Sequence, residues 1–85
     1  MNVKVLIVTT PVHVAFRKAL NEEQLNLTIL SAEKLAKDFK NVYYYNFIDN
    51  SLFDESDFKD GDHLNANGAQ KFTLLLNKII NEKSN

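Results

Sequence analysis

Residues 3–8, V-K-V-L-I-V, form the most apolar stretch near the amino terminus and decide the fold class. Nearly continuous β-branched and apolar residues are typical of a strand buried on both faces, as strands of parallel sheets are. Thr10 and Pro11 follow directly, and proline ends the strand because it has no N–H to donate. The stretch therefore predicts a parallel strand in a protein of the α/β class.

A second stretch, residues 42–48 (V-Y-Y-Y-N-F-I), has the aromatic and β-branched composition of another strand. Between the strands, residues from about 12 to 20 predict a short helix, and Asn21 predicts the N-cap of a longer one. One face of the longer helix is marked by apolar residues at three- and four-residue steps: Leu25, Ile29, Ala32, Leu35, Ala36 and Phe39. A strand–helix–strand order predicts two parallel strands joined by a crossover.

The segment that follows, residues 49–62, holds six acidic residues and one lysine without a helical or alternating period. It predicts an acidic loop. Asn65 or Asn67-Gly68 then opens a last helix with an apolar stripe. The predicted order is strand, helix, strand, loop, helix in one partial domain, residues 1–85. Because sheets usually contain about 4–6 strands, we expect the neighbours of these two strands to come from more chain or from another copy.

Composition excludes several classes of protein. An apolar content of 45% with a net charge of −1 excludes a disordered tail. The absence of cysteine excludes disulfides, thiolate zinc sites and a cysteine nucleophile. Ten basic and eleven acidic residues give no electrostatic basis for binding nucleic acid. We find no signal peptide or membrane span in the pattern, so we expect a soluble chain whose compartment stays undetermined.

The residues best suited to acid–base catalysis lie in residues 58–72, F-K-D-G-D-H-L-N-A-N-G-A-Q-K-F. In this stretch His63 lies three residues after Asp60 and one after Asp62. A histidine is a general base near neutral pH. A carboxylate that accepts from one ring nitrogen fixes the tautomer and leaves the other nitrogen free to take a proton. The spacing is also common by chance, so a solvated loop in which His63 caps or packs locally stays open.

The wider block, residues 60–65 followed by Gly68, Ala69 and Phe72, resembles the last motif block of the SGNH (GDSL-type) hydrolases, in the form Asp-x-Asp-His-Leu-Asn-x-x-Gly-Ala. The resemblance covers most of this chain but only the C-terminal part of the family domain. It implies a partial three-layer flavodoxin-like fold and hydrolysis of an ester or acyl substrate without cofactor or metal. It also implies His63 as the catalytic base and Asp60 as its orienting partner, with Asp62 at a variable position.

The family's nucleophile is a serine in an N-terminal Gly-Asp-Ser block, and its oxyanion donors lie in middle blocks; this sequence has neither. Its serines occupy other settings: Ser31, Ser51, Ser56 and Ser84. We therefore expect the acid–base portion of a serine esterase or acylhydrolase, inactive alone because acyl transfer needs nucleophile and oxyanion donors. The alternative is a non-catalytic α/β module that dimerises or completes its sheet with a partner.

Three further candidates are weaker. His13 follows the first strand and lines the same cleft or starts a helix at the surface. Asp49, after the second strand, resembles a phospho-acceptor aspartate but lacks a companion acid near the first strand. The acidic segment offers oxygen ligands for calcium, but an EF-hand register fails because Phe58 and Asn67 fall on ligand positions.

Overall fold

The chain is a mixed α/β protein in the computed structural model, which describes residues 3–84. Its elements in chain order are β1 Val5–Thr9, α1 Val14–Ala19, α2 Glu22–Asp38, β2 Val42–Asn46, a 3₁₀ turn Glu55–Asp57, β3 Phe58–Asp60, β4 His63–Leu64 and α3 Ala66–Ser84. The predicted class is confirmed, and so is the order of the major strands and helices.

Strands β1 and β2 pair in parallel, as their sequences predict, from Val5 opposite Val42 to Thr9 opposite Asn46. At the start of β1, the Val5 N–H donates to the Asn41 carbonyl (2.8 Å), so the hydrogen bonding between the strands begins one residue before β2. Strand β2 ends at Asn46, two residues earlier than predicted. The Asn46 side chain accepts the backbone N–H two residues on (3.0 Å), which turns the chain away from the sheet.

Helix α2 begins where its sequence predicts, because the Asn21 side chain accepts the Gln24 N–H at 3.0 Å. Its far end differs from the prediction. Phe39 is the C-cap in extended conformation and is 53% exposed, so it does not extend the helix's packed face. Helix α2 packs on β2, and none of its residues is fully buried.

The core is small and lies between the sheet and α3. The buried apolar side chains in the described part of the chain are those of Pro11, Phe47, Ile48 and Ile79. The Phe72 ring of α3 meets Phe47 edge-on, with 5.5 Å between ring centroids. Helix α3 thereby ties the end of β2 to the segment that carries the candidate site.

Residues 49–62 are not a loop throughout, which corrects the sequence-based prediction. The Asp54 side chain accepts the Ser56 N–H (2.9 Å), and the Asp57 side chain accepts the Asp54 N–H (2.9 Å); together these cap the 3₁₀ turn. Strands β3 and β4 then form an antiparallel hairpin. Strands of three and two residues are too short to produce a readable alternation, so the pattern missed them.

Candidate functional site

The β3–β4 hairpin places His63 opposite Asp60, with Gly61 and Asp62 in the turn between them. The two residues predicted as a catalytic pair are therefore brought together. His63 Nδ1 lies 2.7 Å from Asp60 Oδ1. No contact with another described residue involves His63 Nε2, so this nitrogen is the one available to a proton donor.

Asp62 also reaches the histidine, which the sequence did not predict. Its Oδ1 lies 3.0 Å from the same Nδ1. The hydrogen bond that His63 Nδ1–H donates to Asp60 is the main cause that raises the pKa of His63 above its ordinary value, and the charges of Asp60 and Asp62 add to it. The same hydrogen bond lowers the pKa of Asp60. Both carboxylates therefore stabilise an imidazolium, which is the species a general base becomes when it takes a proton.

The pair stands at the surface. The side chains of Asp60 and His63 are 55% and 68% exposed, so the described residues form no water-excluding wall around them. Electrostatic stabilisation of a developing charge is weak in such a setting, because water screens it. His63 is thus a base that Asp60 orients through Nδ1, while Nε2 makes no contact with a described residue.

Gly61 is suited to the hairpin turn by packing rather than by its backbone conformation. Neither of the two glycines has the positive φ that favours glycine in a tight turn. A Cβ on Gly61 would instead stand 2.7 Å from the Phe16 ring of α1. The absence of a side chain therefore allows α1 to pack closely against the hairpin turn.

His13 is the N-cap of α1, which confirms the prediction of a helix start. Its Nδ1 accepts the Ala15 N–H at 3.0 Å, and its own N–H donates to the Gly61 carbonyl at 3.0 Å. Its ring meets Phe58 edge-on at 5.9 Å. Asp60 and His13 line one surface depression, and His63 is not part of that lining. His13 thus holds the hairpin, and no contact joins it to His63.

On the other side, Asn65 fixes the hairpin to α3. Its side-chain oxygen accepts the Gly68 N–H (2.9 Å), and its amide nitrogen donates to the Ser56 carbonyl (2.6 Å). Its own N–H donates to the Asp57 carbonyl at 2.8 Å. Asn65 is therefore the residue that opens the helix, the first of the two predicted options. These hydrogen bonds explain, in structural terms, why the motif has asparagine at this position.

The ion pair between Asp57 and Lys71 was not predicted from the sequence. Asp57 is 3% exposed, and its carboxylate accepts from Lys71 Nζ at 2.7 Å. Lys71 also donates to the Leu52 carbonyl (2.7 Å) and lies 5.5 Å from the Phe53 ring centroid. The hydrogen bond from Lys71 is the main cause that lowers the pKa of Asp57. The Asp54-x-x-Asp57 spacing of a capping box was the signal that could have drawn attention to Asp57.

None of the serine side chains described in hydrogen bonds contacts His63. Ser31 Oγ donates to the Leu27 carbonyl (2.9 Å) inside α2, and Ser56 Oγ donates to Asp54 Oδ1 (2.6 Å). The hydroxyl of Thr9, at the end of β1, bonds to the Tyr44 hydroxyl. These hydroxyl groups are thus engaged in holding helices, the 3₁₀ turn and the sheet.

Asp60, Asp62 and His63 are also the group of described residues whose ligand atoms could meet at a metal ion, all within 4.8 Å of one another. Exposed acidic groups commonly cluster without an ion. The carboxylates further back do not converge on a calcium site, because Asp49 bonds to Arg17 (3.1 Å) and Asp54 caps the 3₁₀ turn. That no metal is required stays a prediction.

Comparisons with protein families, curated proteins and solved structures found no match to this chain. Among the described helices, none combines the length and apolarity needed to cross a membrane. The geometry of the hairpin and the motif that it carries are therefore the features that bear on function.

Proposed function

We propose that this chain carries the acid–base portion of an SGNH-type serine esterase or acylhydrolase. His63 is the general base and Asp60 orients it. The observation that supports this most directly is the 2.7 Å contact between His63 Nδ1 and Asp60 Oδ1, with Nε2 open. The parallel pair β1–β2, connected through α2, agrees with one part of a three-layer flavodoxin-like sheet.

In the proposed reaction, Nε2 takes the proton of a serine hydroxyl while the serine oxygen bonds to the carbonyl carbon of an ester. The imidazolium then gives this proton to the alkoxide as the carbon–oxygen bond of the ester breaks. Water repeats the sequence on the acyl-serine, releasing the acid and restoring neutral His63. The serine and the oxyanion donors belong to polypeptide outside these 85 residues, and no cofactor takes part.

The test uses the native polypeptide, expressed from the complete reading frame that contains this sequence. We expect it to hydrolyse 4-nitrophenyl acetate and to be labelled on serine by a fluorophosphonate. His63→Ala should reduce turnover by about 10²–10⁴-fold, the usual contribution of a general base. Asp60→Asn should also reduce it strongly.

Asp62→Asn is the matched control, because it removes a neighbouring carboxylate that the motif leaves variable. We expect it to change turnover much less than Asp60→Asn. A polypeptide without ester hydrolysis, or a His63→Ala variant with unchanged turnover, would overturn the proposal.

A further inference from the structure

Strand β1 has an open edge in the described sheet, which contains β1 and β2 alone. Val5 N–H and the Thr9 carbonyl both point to β2, because they bond to the Asn41 carbonyl and the Phe47 N–H. Alternate residues of a strand present their backbone groups to opposite sides. The N–H and C=O groups of Leu6 and Val8 therefore face away from β2, along the open edge.

The outer edge of β2 is less accessible. Its first N–H, that of Val42, already donates to the Phe39 carbonyl at 3.1 Å. The β1 edge carries no charge and no proline between Val5 and Thr9, although natural proteins usually block exposed edges with lysine or proline. Between the two edges, β1 is the better one for adding a strand.

The whole chain has more surface than a compact monomer. It exposes 6284 Å², whereas a folded monomer of 9.7 kDa exposes about 5,100 Å². Its radius of gyration is 14.0 Å, against about 12 Å for a compact domain of this length. The excess of about 1,200 Å² exceeds the ~800 Å² that each partner buries in an ordinary stable interface.

We propose that the open β1 edge binds the β1 edge of a second copy of this chain, forming a two-fold symmetric four-stranded sheet. Antiparallel pairing centred on Ile7 sets Leu6 of one copy opposite Val8 of the other. Since residues in such a pair exchange both hydrogen bonds, this register uses the outward backbone groups of Leu6 and Val8 in both copies. The net charge of −1 gives little repulsion between copies.

The inference is separate from the roles proposed for His63 and Asp60, but it competes with a larger sheet in which another part of the same polypeptide pairs with β1. It rests on Leu6 and Val8, whereas the candidate catalytic pair lies in the β3–β4 hairpin. His63→Ala should leave the mass in solution unchanged, so failure of one proposal is distinguishable from failure of the other. The main rival occupant of the edge is therefore a strand from the part of the same polypeptide that would carry the serine, and a wild-type 85-residue chain that stays monomeric would favour it.

The first experiment measures the mass of the 85-residue chain in solution by analytical ultracentrifugation. We expect twice 9.7 kDa for the wild type, falling toward 9.7 kDa on dilution. Val8→Pro removes an outward N–H and blocks the edge with its ring, so it should be monomeric. Val8→Thr keeps the N–H at nearly the same volume and should remain dimeric. A wild type that is monomeric at all concentrations, or a folded Val8→Pro dimer, overturns the inference.

A cysteine pair tests the register without relying on the proline variant. The chain has no cysteine, so Ile7→Cys introduces one thiol per copy. At the two-fold axis the paired Cα atoms would be about 4.5 Å apart, within the range of a disulfide. We expect rapid oxidation to a covalent dimer, and far slower oxidation of Leu30→Cys on the exposed side of α2. Equal rates for the two variants overturn the inference.

Discussion

Gly68 lies against the backbone of Asp57 so closely that a Cβ at position 68 would stand 2.2 Å from the Asp57 carbonyl oxygen. This contact joins the first turn of α3 to the 3₁₀ turn that leads into the hairpin. Because the opposing atom belongs to the backbone, it cannot move aside as the end of a flexible side chain would. The glycine of the motif's Gly-Ala step is therefore explained by packing.

Gly68→Ala should destabilise the protein by about 1–3 kcal/mol, the usual cost of overpacking. Helix propensity alone would favour alanine by about 1 kcal/mol, so the sign of the change separates the two explanations. Urea unfolding followed by circular dichroism measures it. Asn67→Ala, at the exposed neighbouring position, is the control and should not destabilise. A Gly68→Ala variant as stable as the wild type would contradict the contact.

Lys71→Met should lower the urea midpoint more than Lys34→Met. Lys71 pairs with a carboxylate that is almost fully buried, whereas the Lys34–Asp38 pair (2.6 Å) is exposed, and exposed pairs contribute about 0–1 kcal/mol. Equal midpoints for the two variants would show that the Asp57–Lys71 contact contributes no more than a surface pair.

The Asp57–Lys71 contact also predicts a dependence on pH. The pKa of Asp57 is lowered below 3.8, chiefly by the hydrogen bond from Lys71. Its contribution to stability is therefore present above pH 3.8 and is lost as pH falls through the folded-state pKa. The difference in midpoint between wild type and Lys71→Met should accordingly shrink in acid. A difference that stays constant from neutral pH into acid contradicts this prediction.

Asn65→Ala should cost about 1 kcal/mol through loss of the N-cap of α3, as such substitutions usually do. It also removes the amide that donates to the Ser56 carbonyl. Asn77→Ala, at an exposed position within the same helix, is the control, and we expect a change within about 0.5 kcal/mol. Thermal unfolding of both variants gives the comparison, and equal stabilities would contradict the capping role.

The imidazole of His63 should titrate above pH 6.5, because Asp60 and then Asp62 favour its charged form. NMR of the ring protons should show the pKa falling toward 6.5 in Asp60→Asn and falling less in Asp62→Asn. The raised pKa stabilises the fold below pH 6.5, and this contribution is lost as pH rises through the folded-state pKa. If the Asp62 variant gives the larger shift, the assignment of the orienting carboxylate is wrong.

Local sequence was sufficient where neighbouring residues set the structure. The Asn21 cap, the parallel pairing of β1 with β2 and the meeting of Asp60 with His63 were all predicted and confirmed. A cap and a three-residue spacing both act within one turn of chain. The β-branched run of β1 predicted the strand itself, but not its burial: Val5 is 42% exposed and none of the five residues is fully buried, because β2 is its single neighbour in the described sheet.

Contacts between distant residues needed the tertiary structure. Lys71 reaches Asp57 across fourteen positions, and the need for glycine at position 61 is explained by its contact with Phe16 of α1. No periodicity in the sequence encodes either contact, because each depends on how α1 and α3 pack around the hairpin. The open edge of β1 needed both kinds of information. The apolar run predicted a strand that needs a neighbour on each side, and the hydrogen bonds to β2 showed which of its two edges has no neighbouring strand in the described sheet.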